Sequence, residues 1–136
     1  MKKLLSVKYT ATSFNITFLL IRLVFGATMM VAHGYQKLVH FAERKNNFVD
    51  FLGLGSTTTL SLVVFAEFFC AAFIILGLFT RLAAIPLCIA MGYACFVAHH
   101  GDVFGDGEAS LQFLSVFFLL LLCGPGKYSI DGMIAK

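Results

Sequence analysis

An all-α integral membrane four-helix bundle is the fold class this sequence predicts, and three observations carry the prediction. Of the 136 residues, 60% are hydrophobic and only 12% charged, whereas soluble domains run roughly 45–50% apolar and 25% charged. Four apolar stretches approach or exceed the roughly 20 residues that a helix needs to cross a hydrocarbon core. The connections between them are short, which favours antiparallel neighbours and an up-down-up-down path. One domain, residues 1–136, is expected.

The first span is read from about Phe14 to Val39. A basic cluster (Lys2, Lys3, Lys8) precedes it and imitates a secretory signal, but the apolar run is too long for an h-region and contains Arg22. It is expected to be retained as a transmembrane helix. From His40 to Ser56 charges alternate with Phe41, Phe48, Phe51 and Leu52, a pattern that suits a short amphipathic helix on the membrane surface. Ser56 to Thr59 are four consecutive hydroxyl residues, suited to capping the helix that follows.

The second span is Leu60 to Leu78 and ends in a tight turn, Gly77 to Arg81. The third is Leu82 to Val97, with Pro86 near its first turn, where a missing N–H is tolerated. A glycine-rich loop, HGDVFGDGE, leads to the fourth span, Leu111 to Leu122 with its flanks. Gly124-Pro125-Gly126 then stops the helix.

Charge placement orients the bundle. Four crossings put Lys2, Lys3, Lys8, Arg81, Lys127 and Lys136 on one side, and Lys37, Arg44 and Lys45 on the other. The basic excess marks the cytoplasmic side, so both termini are expected there. The loop bearing Asp102, Asp106 and Glu108 has no Lys or Arg, as an outer loop should. The basic residues form no continuous stripe, which argues against a nucleic-acid partner. With no transit features, the expected location is a bacterial plasma (inner) membrane, crossed several times.

A charge at a bilayer centre costs at least about 2.5 to 3.5 kcal/mol, so ionisable groups inside the spans are functional candidates by default. Arg22, Gly26, Met29, His33, Gln36 and Lys37 recur at helical spacing in the first span, one face of a helix. Glu67 is the only formal charge of the second span and shares a small-residue face with Cys70 and Ala71. Cys88, Gly92, Cys95 and His99 align in the third, and Glu108, Gln112, Ser115 and Leu119 in the fourth. A common polar seam follows. Depth arithmetic places Arg22 about 12 Å and Glu67 about 16 Å from the inner boundary, so an Arg22–Glu67 ion pair is expected.

Imidazole and carboxylate both suit zinc or iron. His99 and His100 are adjacent, however, and no Glu-x-x-His pair exists, so no metal site is expected. The four cysteines (70, 88, 95, 123) form no C-x-x-C and read as small apolar packing residues.

Over nearly its full length the chain resembles the DoxX family of small four-helix membrane proteins. The likeness is carried by RLVFGATMMVAHGYQKL (Arg22 to Leu38), Glu67, LGLFTRLAAIPL (Leu76 to Leu87), the AHHGDVF loop and GPGKYSID (Gly124 to Asp131). It implies an inner-membrane component of a redox or sulfur/oxidative-stress system, with relatives linked to thiosulfate:quinone oxidoreductase or to thiol-handling proteins. Arg22, His33, Gln36, Lys37, Glu67 and Arg81 match the family's polar positions. The expectation is a quinone or similar small molecule in the seam. Proton handling falls to His33, Glu67 and His99, and binding to Arg22, Gln36, Lys37, Glu67, His100, Glu108 and Gln112. The rival expectation, from a different class, is a non-catalytic scaffold or small-solute transporter that recruits a soluble thiol or redox partner. Small-residue helix faces also favour a homo-oligomer.

Overall fold

The computed structural model describes all 136 residues, and its regular structure is entirely helical, with no strand. Four rods dominate: α1 (Ala11–Val39), α3 (Ser56–Leu76), α4 (Thr80–Ala98) and α5 (Glu108–Cys123). Two single-turn helices accompany them, α2 (Phe41–Arg44) and α6 (Ile130–Ile134). By length and composition α1, α3 and α4 can each cross a membrane, while α5 is apolar but shorter, 16 residues. The chain has the character of a membrane helical bundle.

Local chemistry sets the helix ends. Thr10 caps α1 by accepting the Ser13 N–H at 3.1 Å. At the end of α3, Gly77 adopts φ +68°, and Gly77 and Leu78 donate back to Ile74 O and Phe73 O, the paired bonds of a Schellman stop. The hydroxyl run does not cap α3, whose cap residue is Gly55. Instead Ser56 Oγ and Thr59 Oγ1 accept from Phe48 N (2.7 Å) and Phe51 N (3.0 Å). They tie the preceding loop down.

That loop departs from the expected amphipathic helix. Only Phe41–Arg44 is helical, because Leu52, Gly53 and Gly55 all take positive φ, which no right-handed helix accommodates. Pro86 also falls deeper than expected. With α4 starting at Thr80, it lies inside the helix, where the missing N–H and its ring interrupt the ladder at Leu82.

Three rods contain a π-helical turn: Met29–Gly34 in α1, Phe65–Cys70 in α3 and Ala94–Ala98 in α4. Such a turn takes up one extra residue and rotates everything after it. The α1 stripe therefore breaks. Arg22, Gly26 and Met29 are buried as expected, but the buried position after them is Gly34 rather than His33, and Gln36 turns outward.

The polar seam is likewise replaced. The centre of the bundle is apolar, built from Met29, Ala71, Ile74, Ala84, Leu87, Phe117 and Leu120 among others. α5 contributes Phe113, Phe117 and Leu120, and its expected polar face of Glu108, Gln112, Ser115 and Leu119 is exposed. Large apolar groups fill the centre better, and the polar ones satisfy themselves locally: Ser115 Oγ donates to Leu111 O and Gln112 Nε2 to Glu108 Oε1. In α4 the buried face is Thr80, Ala84, Leu87, Met91 and Cys95, one position away from the expected Cys88 and Gly92.

Candidate functional site

The buried charges separate into two clusters, one at the last turn of α3 and one around Glu67, midway along it. Arg22, 2% exposed, belongs to the end where both chain termini lie. Its Nε donates to Ile74 O (3.0 Å) and Nη2 to Ile75 O (3.1 Å), while Nη1 donates to Pro125 O (2.9 Å) and Tyr128 O (2.8 Å). Last-turn carbonyls of a helix lack intrahelical partners and carry the negative end of its dipole. A planar guanidinium serves several at once.

The tail completes this lock. Asp131 accepts from Phe79 N and Thr80 N, both at 2.8 Å, so its carboxylate sits on the free N–H groups that open α4. Lys127 N donates to Asn15 Oδ1, and Arg81 Nη2 to Leu122 O. The expected Arg22–Glu67 ion pair is therefore absent. Arg22 spends its donors on main-chain carbonyls, and its place is structural rather than in a binding seam.

Glu67 pairs instead with Lys37, Nζ to Oε2 at 2.5 Å, with side chains only 6% and 17% exposed. Two local features bring them together. Gly34 lets α1 lie directly on the Glu67 main chain, where a Cβ would come within 2.5 Å of its carbonyl. Helical side chains lean toward the helix N-terminus, so Lys37, one turn beyond Gly34, reaches back to the level of Glu67. One Lys37 donor is used here, and Glu67 Oε1 accepts no hydrogen bond.

This pair forms part of the wall of a cavity of about 520 Å³ between α3 and α4. Twelve of its 17 lining residues are hydrophobic, and Lys37, Glu67, His99 and the Tyr93 hydroxyl provide its charged or titratable groups. Ala66 on one side and Ala90, Ala94 and Ala98 on the other make the recess, since small side chains at helical spacing leave space between rods. Phe48, Val49 and Phe51 of the loop cover one end. An apolar recess with a few converging polar groups is the usual form of a small-molecule site.

The other candidates distribute as follows. His99 and Lys37 join Glu67 in the cavity wall. His33 is half-buried beside the pair and packs edge-on against Phe113, ring centroids 5.5 Å apart. Gln36, His100, Glu108 and Gln112 are exposed and stand outside this cavity. No group of three His, Cys, Asp or Glu side chains converges. All four cysteines are free thiols, Cys70 and Cys95 fully buried. Sequence reasoning missed the aromatic cover, Phe48, Phe51 and Tyr93. The signal for the first two was present in the hydroxyl run that anchors them.

A family model described as DoxX matches residues 17–100. An uncharacterized protein of Haemophilus influenzae is 30% identical over 119 residues, a match covering 81% of this chain and 85% of that relative. No solved structure matches.

Proposed function

The chain belongs to the DoxX family, and from that premise we propose that it holds a quinone or a similar small molecule against the Lys37–Glu67 pair. The setting proposed is a redox or sulfur/oxidative-stress system of a bacterial plasma membrane. In it, four crossings put both termini in the cytoplasm, with α5 as the fourth despite its length.

The observation that carries this reading is the chemistry left over on the pair. Lys37 retains N–H donors for a ring carbonyl, and Glu67 Oε1 is free to accept from a ring hydroxyl. The two sites thus match the oxidised and reduced forms of one head group. A quinone, when bound, supplies two-electron, two-proton redox chemistry. The protein's own part is to hold the ring, exclude water with Phe48 and Phe51, and exchange protons at Glu67 Oε1. His99 lines the same cavity and His33 lies beside the pair, so either imidazole can relay a proton. The apolar lining suits the ring faces and a hydrocarbon substituent.

The test is the melting temperature of purified protein titrated with decyl-substituted benzoquinone. Binding to the folded state raises it with quinone concentration. The rise should disappear in Glu67→Gln and Lys37→Met. A wild-type protein indifferent to quinone would sink the proposal.

A further inference from the structure

The cavity has a roof and an open flank, and together they define the route by which it fills. The roof is the loop 45–55. It is fastened by Phe48 N to Ser56 Oγ, Phe51 N to Thr59 Oγ1, Thr57 Oγ1 to Lys45 O (3.1 Å) and Gly55 N to Asp50 Oδ1 (2.8 Å). Phe51 also lies edge-on to Tyr93 of α4, centroids 4.9 Å apart at 88°. Of the residues held in this way, Phe48, Phe51 and Tyr93 line the cavity. At the flank, Leu62 and Phe65 of α3 and Ile89 of α4 line the cavity while each remains about half exposed (49%, 49% and 55%). These belong to rods long and apolar enough to cross a membrane, so the surface they expose faces acyl chains.

We infer that the cavity is loaded sideways from the bilayer, between α3 and α4, by an amphiphile with a neutral polar head and an apolar tail. The neutral head follows from charge balance. Lys37 and Glu67 cancel one another, so an ionic head would enter a low-dielectric recess with no counter-charge, which is strongly unfavourable. The head meets the ion pair under the roof. The tail emerges past Leu62 and Ile89 into the lipid, where it needs no protein pocket of its own. This rests on the binding reading above and narrows its ligand to molecules dissolved in the membrane.

The chain has no tryptophan, so a single introduced one reports its own surroundings. Leu62→Trp and Ile89→Trp place the reporter at the flank. Phe96→Trp is a lipid-facing control away from the cavity, and Phe104→Trp, at a position 95% exposed in the loop before α5, is a water-facing one. In nanodiscs of brominated lipid, the two flank variants should lose most of their emission, as Phe96→Trp does, while aqueous iodide should quench Phe104→Trp alone. In ordinary lipid, decyl-substituted benzoquinone should quench Ile89→Trp saturably with its mole fraction in the bilayer, but Phe96→Trp only linearly. Adding Lys37→Met should make the Ile89→Trp response linear too. Iodide quenching at the flank without bromolipid quenching overturns sideways loading, even if quinone binds. Bromolipid quenching with a linear quinone response everywhere upholds the open flank and removes the quinone as its occupant.

Discussion

Lys37 Nζ lies 2.5 Å from Glu67 Oε2, joining α1 to α3 where Gly34 brings the two main chains together. Each charge has the other as its only salt-bridge partner, so the pair is expected to behave as a unit. Losing one member from a buried pair costs about 3–5 kcal/mol because the survivor is stranded. Glu67→Gln and Lys37→Met should each lower thermal stability markedly, and the double variant should lose less than the sum of the two. Melting curves of the four proteins in one detergent provide the cycle; additive losses would show that the groups act separately.

Gly34→Ala tests the same junction from the main chain. The new Cβ would meet Glu67 backbone atoms, which cannot swing aside as a side chain can. Overpacking typically costs about 1–3 kcal/mol. Gly26→Ala should be milder, since its Cβ would meet a side-chain atom, Ile75 Cγ1, at 2.8 Å and main chain only at 3.4 Å. Equal melting temperatures for the two variants would contradict the packing described.

Sequence periodicity was enough to locate the four rods, because apolar runs and their glycine and proline stops are local signals. Partner choice was not legible. The expected Arg22–Glu67 pair assumed that the start of the first span, Phe14, and the end of the second, Leu78, lie at one depth, whereas α1 starts at Ala11 and overhangs the end of α3. Arg22 is consequently level with the last turn of α3, and Gly34 is level with Glu67. The π turn in α1 then moved Gln36 out of the stripe, and nothing in residue type announces such a turn. The Glu108 and Gln112 face misled for another reason: polar side chains on a helix can satisfy one another and turn outward.

Arg22→Lys keeps the charge but loses the planar fork that reaches four carbonyls. Hydrogen bonds to a charged group are worth about 1.5–3 kcal/mol each, so this conservative change should be costly. The tail after Gly124 should become sensitive to protease while ligand binding near Glu67 persists. An undisturbed tail in Arg22→Lys would show that the lock does not depend on the guanidinium.

Thr80 is fully buried and its Oγ1 has no hydrogen-bond partner. An unsatisfied buried hydroxyl is unfavourable, and Thr80→Val replaces it with a methyl group of similar size. The variant should melt at the wild-type temperature or above. A clear loss of stability would reveal a partner for this hydroxyl.

Occupancy of the recess beside Lys37 and Glu67 decides most directly whether this is a ligand-binding protein. Native mass spectrometry of the chain released from its own membranes should find a neutral, quinone-sized amphiphile retained by the wild type and absent from Lys37→Met. Wild-type protein that carries only phospholipid, or nothing, would contradict the binding site proposed for that pair.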